Sequence, residues 1–203
     1  TMNALALTQT AVPERLRSLD LTLEPGQMVG LVGPNGSGKS TLLEVAAGLL
    51  PTSGQVSWQD RRLSDIPVAE RGRMAAWVPQ EASFGFGFSV ASVVGQGRFA
   101  HGDDGVGVEA ALERFDLTSL AQRPVNRLSG GERQRVMLAR AMVVNPRLHF
   151  WDKPLAALDV KHALQVLVLA RELTLRGATV FMSLHDLRLA HCLDRVVVLD
   201  QGE

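Results

Sequence analysis

A glycine-rich motif constrains the fold of this chain more than any other stretch of its sequence. Residues 33–40 read GPNGSGKS and match G-x-x-x-x-G-K-[ST], directly after a strand-like run and directly before a helical pattern, which is the context that the motif requires. Its glycines let the backbone adopt positive φ and bring N–H groups around phosphate oxygens, while the start of the following helix adds partial positive charge. The motif therefore predicts a loop that binds a nucleoside triphosphate.

Two side chains of the motif have separate predicted tasks. Lys39 is expected to reach the β- and γ-phosphates, and the Ser40 hydroxyl is expected to bind Mg²⁺. Nucleotide contacts are predicted along the whole loop and the start of the helix, at Gly33, Pro34, Asn35, Gly36, Ser37, Gly38, Lys39, Ser40 and Thr41. The loop alone does not indicate which nucleotide base is bound.

Strand-like and helix-like segments alternate around this loop, which is typical of an α/β fold with a mostly parallel sheet. Short apolar runs predict buried strands, and apolar residues spaced by three and four predict helices. The strands fall at residues 28–32, 148–151, 178–183 and 195–199, and the helices at 40–49 and 160–176. A turn and an alternating segment predict a small antiparallel part around a strand at 55–58.

The middle of the chain has a different pattern. Between residues 81 and 146 strand signals disappear, and a Gly- and Phe-rich loop leads into helical segments at 108–115 and 131–144. We therefore predict one domain over residues 1–203, with a catalytic core at 1–80 and 147–203 and an inserted helical subdomain at 81–146.

Composition limits the classes of function. The 21 basic side chains balance 21 acidic ones, so no overall field attracts nucleic acid, and none is expected as a partner. The single cysteine, Cys192, excludes an internal disulfide. No apolar run approaches about 18 residues and no signal-like segment begins the sequence, so we expect a chain that is neither secreted nor membrane-spanning. Because a strand-like run comes just before the last residues, we expect the natural chain to continue beyond Glu203.

Further motifs carry a family resemblance. Residues 78–80 read VPQ, 128–135 read LSGGERQR before a helical pattern, and 148–152 read LHFWD, an apolar strand ending in an acid. ALD at 157–159 and SLHD at 183–186 follow. In this order they resemble the Q-loop, signature sequence, Walker B strand, D-loop and switch histidine of ATP-binding-cassette (ABC) transporter ATPases. The resemblance covers almost the whole chain and implies a P-loop NTPase (RecA-like) core.

This resemblance implies a site shared between two subunits. In the family, two copies sandwich two ATP molecules with Mg²⁺, each ATP lying between the phosphate loop of one chain and the signature of the other. A homodimer held together by ATP is thus implied. The signature residues implied to reach the partner's ATP are Ser129, Gly130, Gly131 and Glu132. A helix N-cap is an alternative explanation of Ser129 taken alone.

The resemblance also assigns roles to residues that follow predicted strands. It implies that Asp152, together with Ser40 and Gln80, binds Mg²⁺, and that Gln80 and His185 sense the γ-phosphate during catalysis. Asp159 is implied to lie at the dimer interface, although capping the helix that follows would explain it as well. Standing alone, Gln80 and His185 would be a surface amide and a capping histidine.

One departure from the family pattern falls at the catalytic position. After the Walker B aspartate the family has a glutamate that orients or deprotonates the attacking water, and this chain has Lys153 there. Lysine has a reference pKa of about 10.4 and a neighbouring polyphosphate favours its charged form, so it is a poor base. Losing a positioned base costs about 10²- to 10⁴-fold in rate. We therefore predict that the chain binds Mg-ATP and dimerises but hydrolyses ATP slowly, with His185 compensating in part.

A second departure concerns the nucleotide base. The family has an aromatic residue near the N-terminus that stacks on adenine, but no aromatic residue precedes Trp58 in this chain. Either Arg15 or Arg17 could cover the base with its planar guanidinium, or both could be surface arginines. Most of the binding energy is therefore expected from the phosphates.

The segment after the Q-loop resembles one subgroup of the family. Residues 89–101 read SVASVVGQGRFAH and resemble the permease-facing stretch of the importer ATPases for iron chelates, haem and vitamin B12, and the aromatic-free start most resembles the vitamin B12 ATPase. A polytopic membrane permease and an external substrate-binding protein are implied partners, at the cytoplasmic face of the inner membrane. Phe84, Phe86 and Phe88 would line a groove for the permease or form a local core. The alternatives are a non-transport cassette protein and a nucleotide-dependent dimerisation module.

Overall fold

Two β-sheets organise the chain in the computed structural model, which describes residues 2–203 apart from the side chain of Leu187. The antiparallel sheet consists of β1 (Leu5–Val12), β2 (Leu16–Leu23), β4 (Ser53–Trp58) and β5 (Arg61–Arg62), in the order β2-β1-β4-β5. The parallel sheet consists of β3 (Met28–Val32), β6 (Ala75–Val78), β7 (Leu148–Trp151), β8 (Thr179–Ser183) and β9 (Arg195–Val198), in the order β6-β7-β8-β3-β9. The predicted α/β class, with a parallel sheet and a small antiparallel part, is confirmed.

The sequence analysis missed strands β1 and β2. The register of β1 against β2 shifts between Leu7 and Thr10 and again before Val12, and Gln9 has a φ of 48°. Each such irregularity moves the following side chains relative to the sheet faces, so the regular apolar and polar alternation is lost. The strand therefore forms through its long-range pairing with β2 and β4 rather than through a local pattern that the sequence displays.

Six α-helices occur within the described residues. They are α1 (Lys39–Ala46), α2 (Val68–Met74), α3 (Val90–Gly95), α4 (Val108–Arg114), α5 (Gly130–Val144) and α6 (Val160–Leu175). Short 3₁₀ turns occur at Leu63–Asp65, Gln96–His101, Thr118–Leu120, Val125–Arg127 and Leu187–Cys192. The segment between β6 and β7 contains α3, α4 and α5, and the only β pairing described within it is an isolated bridge between Ser89 and Pro124. Its division from the core as a subdomain stays a prediction.

The central strands of the parallel sheet are buried on both faces. Alternate residues of its strands enter two different apolar clusters: Val180 and Met182 belong to a cluster that includes α6 and the helices of the middle segment, whereas Phe181 belongs to one that includes α1 and the antiparallel sheet. A central strand covered on both sides needs apolar residues throughout, which explains why β3 and β8 read as continuous apolar runs.

The carboxyl ends of three adjacent parallel strands bring the predicted site residues to one edge of the sheet. The glycine-rich loop follows β3, Asp152 follows β7, and His185 follows β8 by two residues. Because β7, β8 and β3 are neighbours and point the same way, their ends open onto a common crevice. This is where ligands bind in open α/β sheets.

Candidate functional site

The glycine-rich loop has a backbone that only glycine can supply at two positions. Gly33 has a φ of 155°, and a Cβ added there would lie 2.0 Å from the Leu199 carbonyl oxygen. Gly38 has a φ of 100°, and its Cβ would lie 2.9 Å from the carbonyl oxygen of Arg15. Both contacts are shorter than real Cβ contacts, so the loop can lie against the neighbouring chain only because these side chains are missing.

Lys39 is the buried cation of this loop. Its side chain is almost fully buried, and the ammonium donates hydrogen bonds of 2.7 Å to the carbonyl oxygens of Gly33 and Pro34. Desolvation lowers the pKa of Lys39, the nearby Lys153 lowers it further, and Asp152 opposes the shift. The loop thus carries a positive charge that its own carbonyls hold in place at the edge of the crevice.

The end of β7 is tied to the end of β8 by one hydroxyl. Ser183 donates a 2.6 Å hydrogen bond to Oδ1 of Asp152, and its Oγ accepts a 2.7 Å hydrogen bond from the backbone N–H of Lys153. Asp152 and Ser183 are both buried. The sequence analysis did not single out Ser183, although a polar residue at the end of a continuously buried strand was a usable signal.

Lys153 faces the same crevice as the phosphate loop. A cavity of about 250 Å³ is lined by the loop residues Asn35, Gly36, Gly38, Lys39, Ser40 and Thr41 together with Glu14, Arg15 and Lys153. Lys153 has a φ of 46°, in the left-handed region, which turns the chain away from β7. Two lysines from two different loops therefore contribute positive charge to one cavity.

His185 lies beside this cavity rather than in its lining. It is exposed, and together with Lys153 and Ser183 it lines a neighbouring apolar cavity of about 400 Å³. Partial desolvation lowers the pKa of His185, and the charges of Lys153 and Lys39 lower it further, against the opposing effect of Asp152. The imidazole is therefore neutral at pH 7 and has one N–H to donate.

The remaining predicted residues lie outside the cavity lining. Gln80 is half-buried, two residues beyond β6. Ser129 caps α5 in a capping box: its Oγ accepts from the Glu132 backbone N–H at 3.2 Å, and the Glu132 carboxylate accepts from the Ser129 backbone N–H at 2.7 Å. None of the described residues 129–132 lines the phosphate-loop cavity. The signature segment thus presents a helix N-terminus that is exposed at Ser129 and Gly130.

Asp159 is the N-cap of α6, which is one of the two roles that the sequence indicated for it. Its carboxylate accepts a 2.9 Å hydrogen bond from the backbone N–H of His162 and contacts the His162 Nδ1 at 2.9 Å. Hydrogen bonds from the backbone and side chain of His162 lower the pKa of Asp159. Capping does not exclude a further contact to a second subunit, because Asp159 is exposed.

Comparison with known proteins agrees with this geometry. A family model described as ABC transporter matches residues 16–156. The hemin import ATP-binding protein HmuV of Pseudomonas putida is 44% identical over 93% of this chain and 78% of its own length, and the protein of the same name from Pseudomonas aeruginosa is 43% identical over 92% and 78%.

The fold has close solved relatives as well. The ATP-binding cassette MJ0796, solved as a dimer bound to ADP and Pi, superposes with a TM-score of 0.87 at 26% identity, covering 98% of this chain and 95% of that one. No helix among the described residues is long and apolar enough to cross a membrane. The chain therefore belongs to the ABC transporter family, as one of its ATP-binding ATPase domains.

Proposed function

We propose that this chain binds Mg-ATP, pairs with a second copy of itself around the nucleotide, and energises haem uptake through a membrane permease, with slow ATP turnover of its own. The observation that carries the proposal is the shared cavity of the phosphate loop and Lys153. It combines an intact nucleotide-binding loop with a cation where the family has its catalytic glutamate. Binding and turnover are therefore affected differently.

Magnesium binding is assigned to Ser40, Asp152 and Gln80. Mg²⁺ prefers oxygen ligands and usually keeps several waters and phosphate oxygens beside one or two protein groups. A hydroxyl, a carboxylate and an amide oxygen suit this chemistry, and Ser183 holds the Asp152 carboxylate in one orientation. The ion, held by these residues, would supply positive charge that offsets the negative charge of the phosphates.

Nucleotide binding is assigned to residues 33–41. When phosphates occupy the loop, Lys39 exchanges its hydrogen bonds to the Gly33 and Pro34 carbonyls for bonds to the β- and γ-phosphates. Arg15 is the better candidate for contact with the base, because it lines the cavity of the loop, whereas Arg17 pairs with Glu203 at 3.0 Å. A flexible guanidinium covers any purine face, so we expect weak base selectivity.

Dimerisation is assigned to the signature segment. The start of α5 offers the exposed Ser129 and the N–H groups at Gly130 and Gly131 to an anion arriving from outside the chain. A γ-phosphate on a second copy's loop is such an anion. Each copy would supply what the other's cavity lacks, in agreement with the dimeric form of MJ0796. Asp159 is assigned to the same interface, with Gln80 and His185 as sensors of the γ-phosphate.

A haem importer is the assignment that the relatives support for the transported substrate, since the two Pseudomonas proteins are named for hemin import. Vitamin B12, which the sequence suggested most strongly, has no support among them. The permease would dock on Phe86 and Phe88, which are exposed, while Phe84 packs against the core of the middle segment. This location corresponds to the cytoplasmic face of the inner membrane, with an external binding protein delivering haem.

Slow turnover follows from Lys153. Its charge adds to the electrostatic field that favours phosphate binding, yet an ammonium group cannot accept a proton from water. The neutral His185 would donate a hydrogen bond to the γ-phosphate, which compensates in part but does not replace the carboxylate that positions the water in the family. The chain would therefore stay in the ATP-bound, paired state for long periods.

The test compares this protein with its Lys153→Glu variant. Steady-state phosphate release is measured alongside ATP-induced dimerisation by light scattering in the same samples. We expect both proteins to dimerise and the variant to release phosphate about 10²- to 10⁴-fold faster. Equal rates would show that another residue positions the water. Lack of ATP-induced dimerisation in both would overturn the proposed pairing, and copurification with a permease of haem uptake would test the transport assignment.

A further inference from the structure

An ion pair joins the loop after α4 to the start of α6. The Lys161 ammonium lies 3.2 Å from Oδ2 of Asp116. Both side chains are more than half exposed, at 69% and 52%, so the pair adds little to global stability. The pair therefore acts mainly on local geometry, by holding the start of α6 near the loop after α4.

His162 lies between the same carboxylate and the D-loop aspartate. Its Nδ1 is 2.9 Å from both carboxylate oxygens of Asp159, and its Nε2 is 3.7 Å from Oδ2 of Asp116. The ring is largely enclosed, with a side-chain exposure of 18%, and Nε2 has no hydrogen-bond partner among the described residues. One imidazole thus approaches two carboxylates that belong to different parts of the chain.

The Asp116 backbone is itself held by the signature helix. Arg135 donates hydrogen bonds of 2.6 Å and 3.0 Å to the carbonyl oxygens of Phe115 and Asp116. The start of that helix also touches the D-loop directly, because a Cβ added at Gly131 would lie 2.8 Å from the Ala157 carbonyl oxygen. The signature helix α5 therefore contacts the D-loop directly at Gly131, and it is linked through Asp116 to the start of α6, which follows the D-loop.

A second ion pair between α4 and α6 offers a matched comparison. Arg114 and Glu172 lie 2.7 Å apart with exposures of 40% and 38%. This pair joins the end of α4 to α6, ten residues beyond His162, and neither of its side chains makes a hydrogen bond or ion pair to residues 157–159 among the described contacts. The Arg114–Glu172 pair therefore serves as a control: it is another exposed ion pair that is not next to the D-loop.

We propose that Asp116 and His162 are positioning residues that set the D-loop relative to the signature helix. Asp116 pairs with Lys161 at the start of α6 and lies 3.7 Å from the His162 ring, and His162 orients the Asp159 carboxylate. With this arrangement, the two segments that the proposed function assigns to the subunit interface are presented to a second copy as one unit. The dimer aspect rests on that proposed function, whereas the local geometry can be tested without it.

The first test measures hydrogen exchange in the nucleotide-free chain, comparing Asp116→Asn with the control Glu172→Gln. Asparagine has the shape of aspartate and tolerates the φ of 53° at position 116, so the backbone is not strained. We expect amides of residues 157–162 to exchange about five-fold faster in Asp116→Asn, the size expected from one exposed ion pair, and to be unchanged in Glu172→Gln. Equal behaviour of the two variants would overturn the proposal.

The second test uses two ATP readouts on the same variants. ATP affinity at protein concentrations that keep the chain monomeric should stay within about two-fold, while the ATP concentration for half-dimerisation should rise about five-fold in Asp116→Asn only. If the ATP affinity of the monomer fell by the same factor as dimerisation, the variant would have a general structural defect, and the positioning role would be contradicted. If the unmodified protein does not dimerise at all, the proposed function fails, and the exchange data still decide the inference.

Discussion

The phosphate loop and the loop after β7 lie at the same edge of the parallel sheet, on either side of the end of β8, and both contribute a lysine to one cavity. In the phosphate loop, glycines carry the positive φ angles and Lys39 is buried on two backbone carbonyls. In the loop after β7, non-glycine residues carry them, at Lys153 and Ala157. The difference teaches that the phosphate loop keeps the family pattern, while the loop proposed to act on water departs from it at Lys153.

The largest expected effect distinguishes the two lysines. Lys39→Ala should weaken ATP binding by about 10²-fold or more, because each charge-assisted bond to phosphate is worth about 1.5–3 kcal/mol and Lys39 is expected to make two, to the β- and γ-phosphates. Lys153→Ala should change the affinity by less than about ten-fold, since its charge acts without directed bonds. Isothermal titration with ATP measures both. Similar losses of ATP affinity in the two variants would contradict the proposal that Lys39 serves binding and that Lys153 occupies the catalytic position.

A smaller effect concerns β7, the strand that leads into the loop containing Lys153. His149 is fully buried in β7, three residues before Asp152, and burial lowers its pKa to about 4, an effect that the Pro146 carbonyl offsets only in part. The pKa of His149 in the folded chain lies below the unfolded value of about 6.5. The stability that comes from keeping this histidine neutral is therefore fully present above pH 6.5 and is lost as the pH falls toward 4. We expect about 2 kcal/mol less free energy of unfolding at pH 5 than at pH 7 from this residue.

Urea denaturation at pH 7 and pH 5 measures this change. The control is His149→Phe, which keeps an aromatic ring of similar volume and removes the titrating group. The variant should lose about 2 kcal/mol less between the two pH values than the parent chain. An identical pH dependence in both proteins would mean that the strand does not hold a neutral histidine.

The smallest effect compares two buried serines: Ser37 in the phosphate loop, and Ser183 at the end of β8, which contacts the loop after β7. Ser183→Ala removes the hydroxyl that joins Asp152 to the Lys153 backbone, leaving a buried carboxylate and N–H without their partner, at a cost of about 1–2 kcal/mol in stability. Ser37→Ala should be close to neutral, because Ser37 Oγ is buried with no hydrogen-bond partner among the described residues. Urea denaturation without nucleotide measures both. A larger loss in Ser37→Ala would contradict the assignment of Ser183 as the hydroxyl that holds the second loop.

Features that depend on contiguous residues were predictable from the sequence. The phosphate loop, the helix that follows it and the buried strands β3, β7 and β8 each show a local pattern, and β7 matches its predicted bounds. The capping role of Ser129 was also visible, since a serine three residues before a glutamate ahead of an apolar run is a capping-box pattern. Strands β1 and β2 were not predictable, because bulges disturb their alternation and their pairing is long-range.

The amino-acid sequence by itself determined the phosphate loop, the order of the family motifs and the presence of lysine at position 153, because each is a matter of residue type at a fixed local spacing. Only the tertiary structure decided which residues meet. The side-by-side pairing of β7, β8 and β3 places Ser183 on Asp152 and brings Lys153 to the cavity of Lys39, and the contact between α4 and α6 brings Asp116 to His162. These encounters join residues 31 to more than 100 positions apart, and folding fixes them through strand order and packing that no local pattern records.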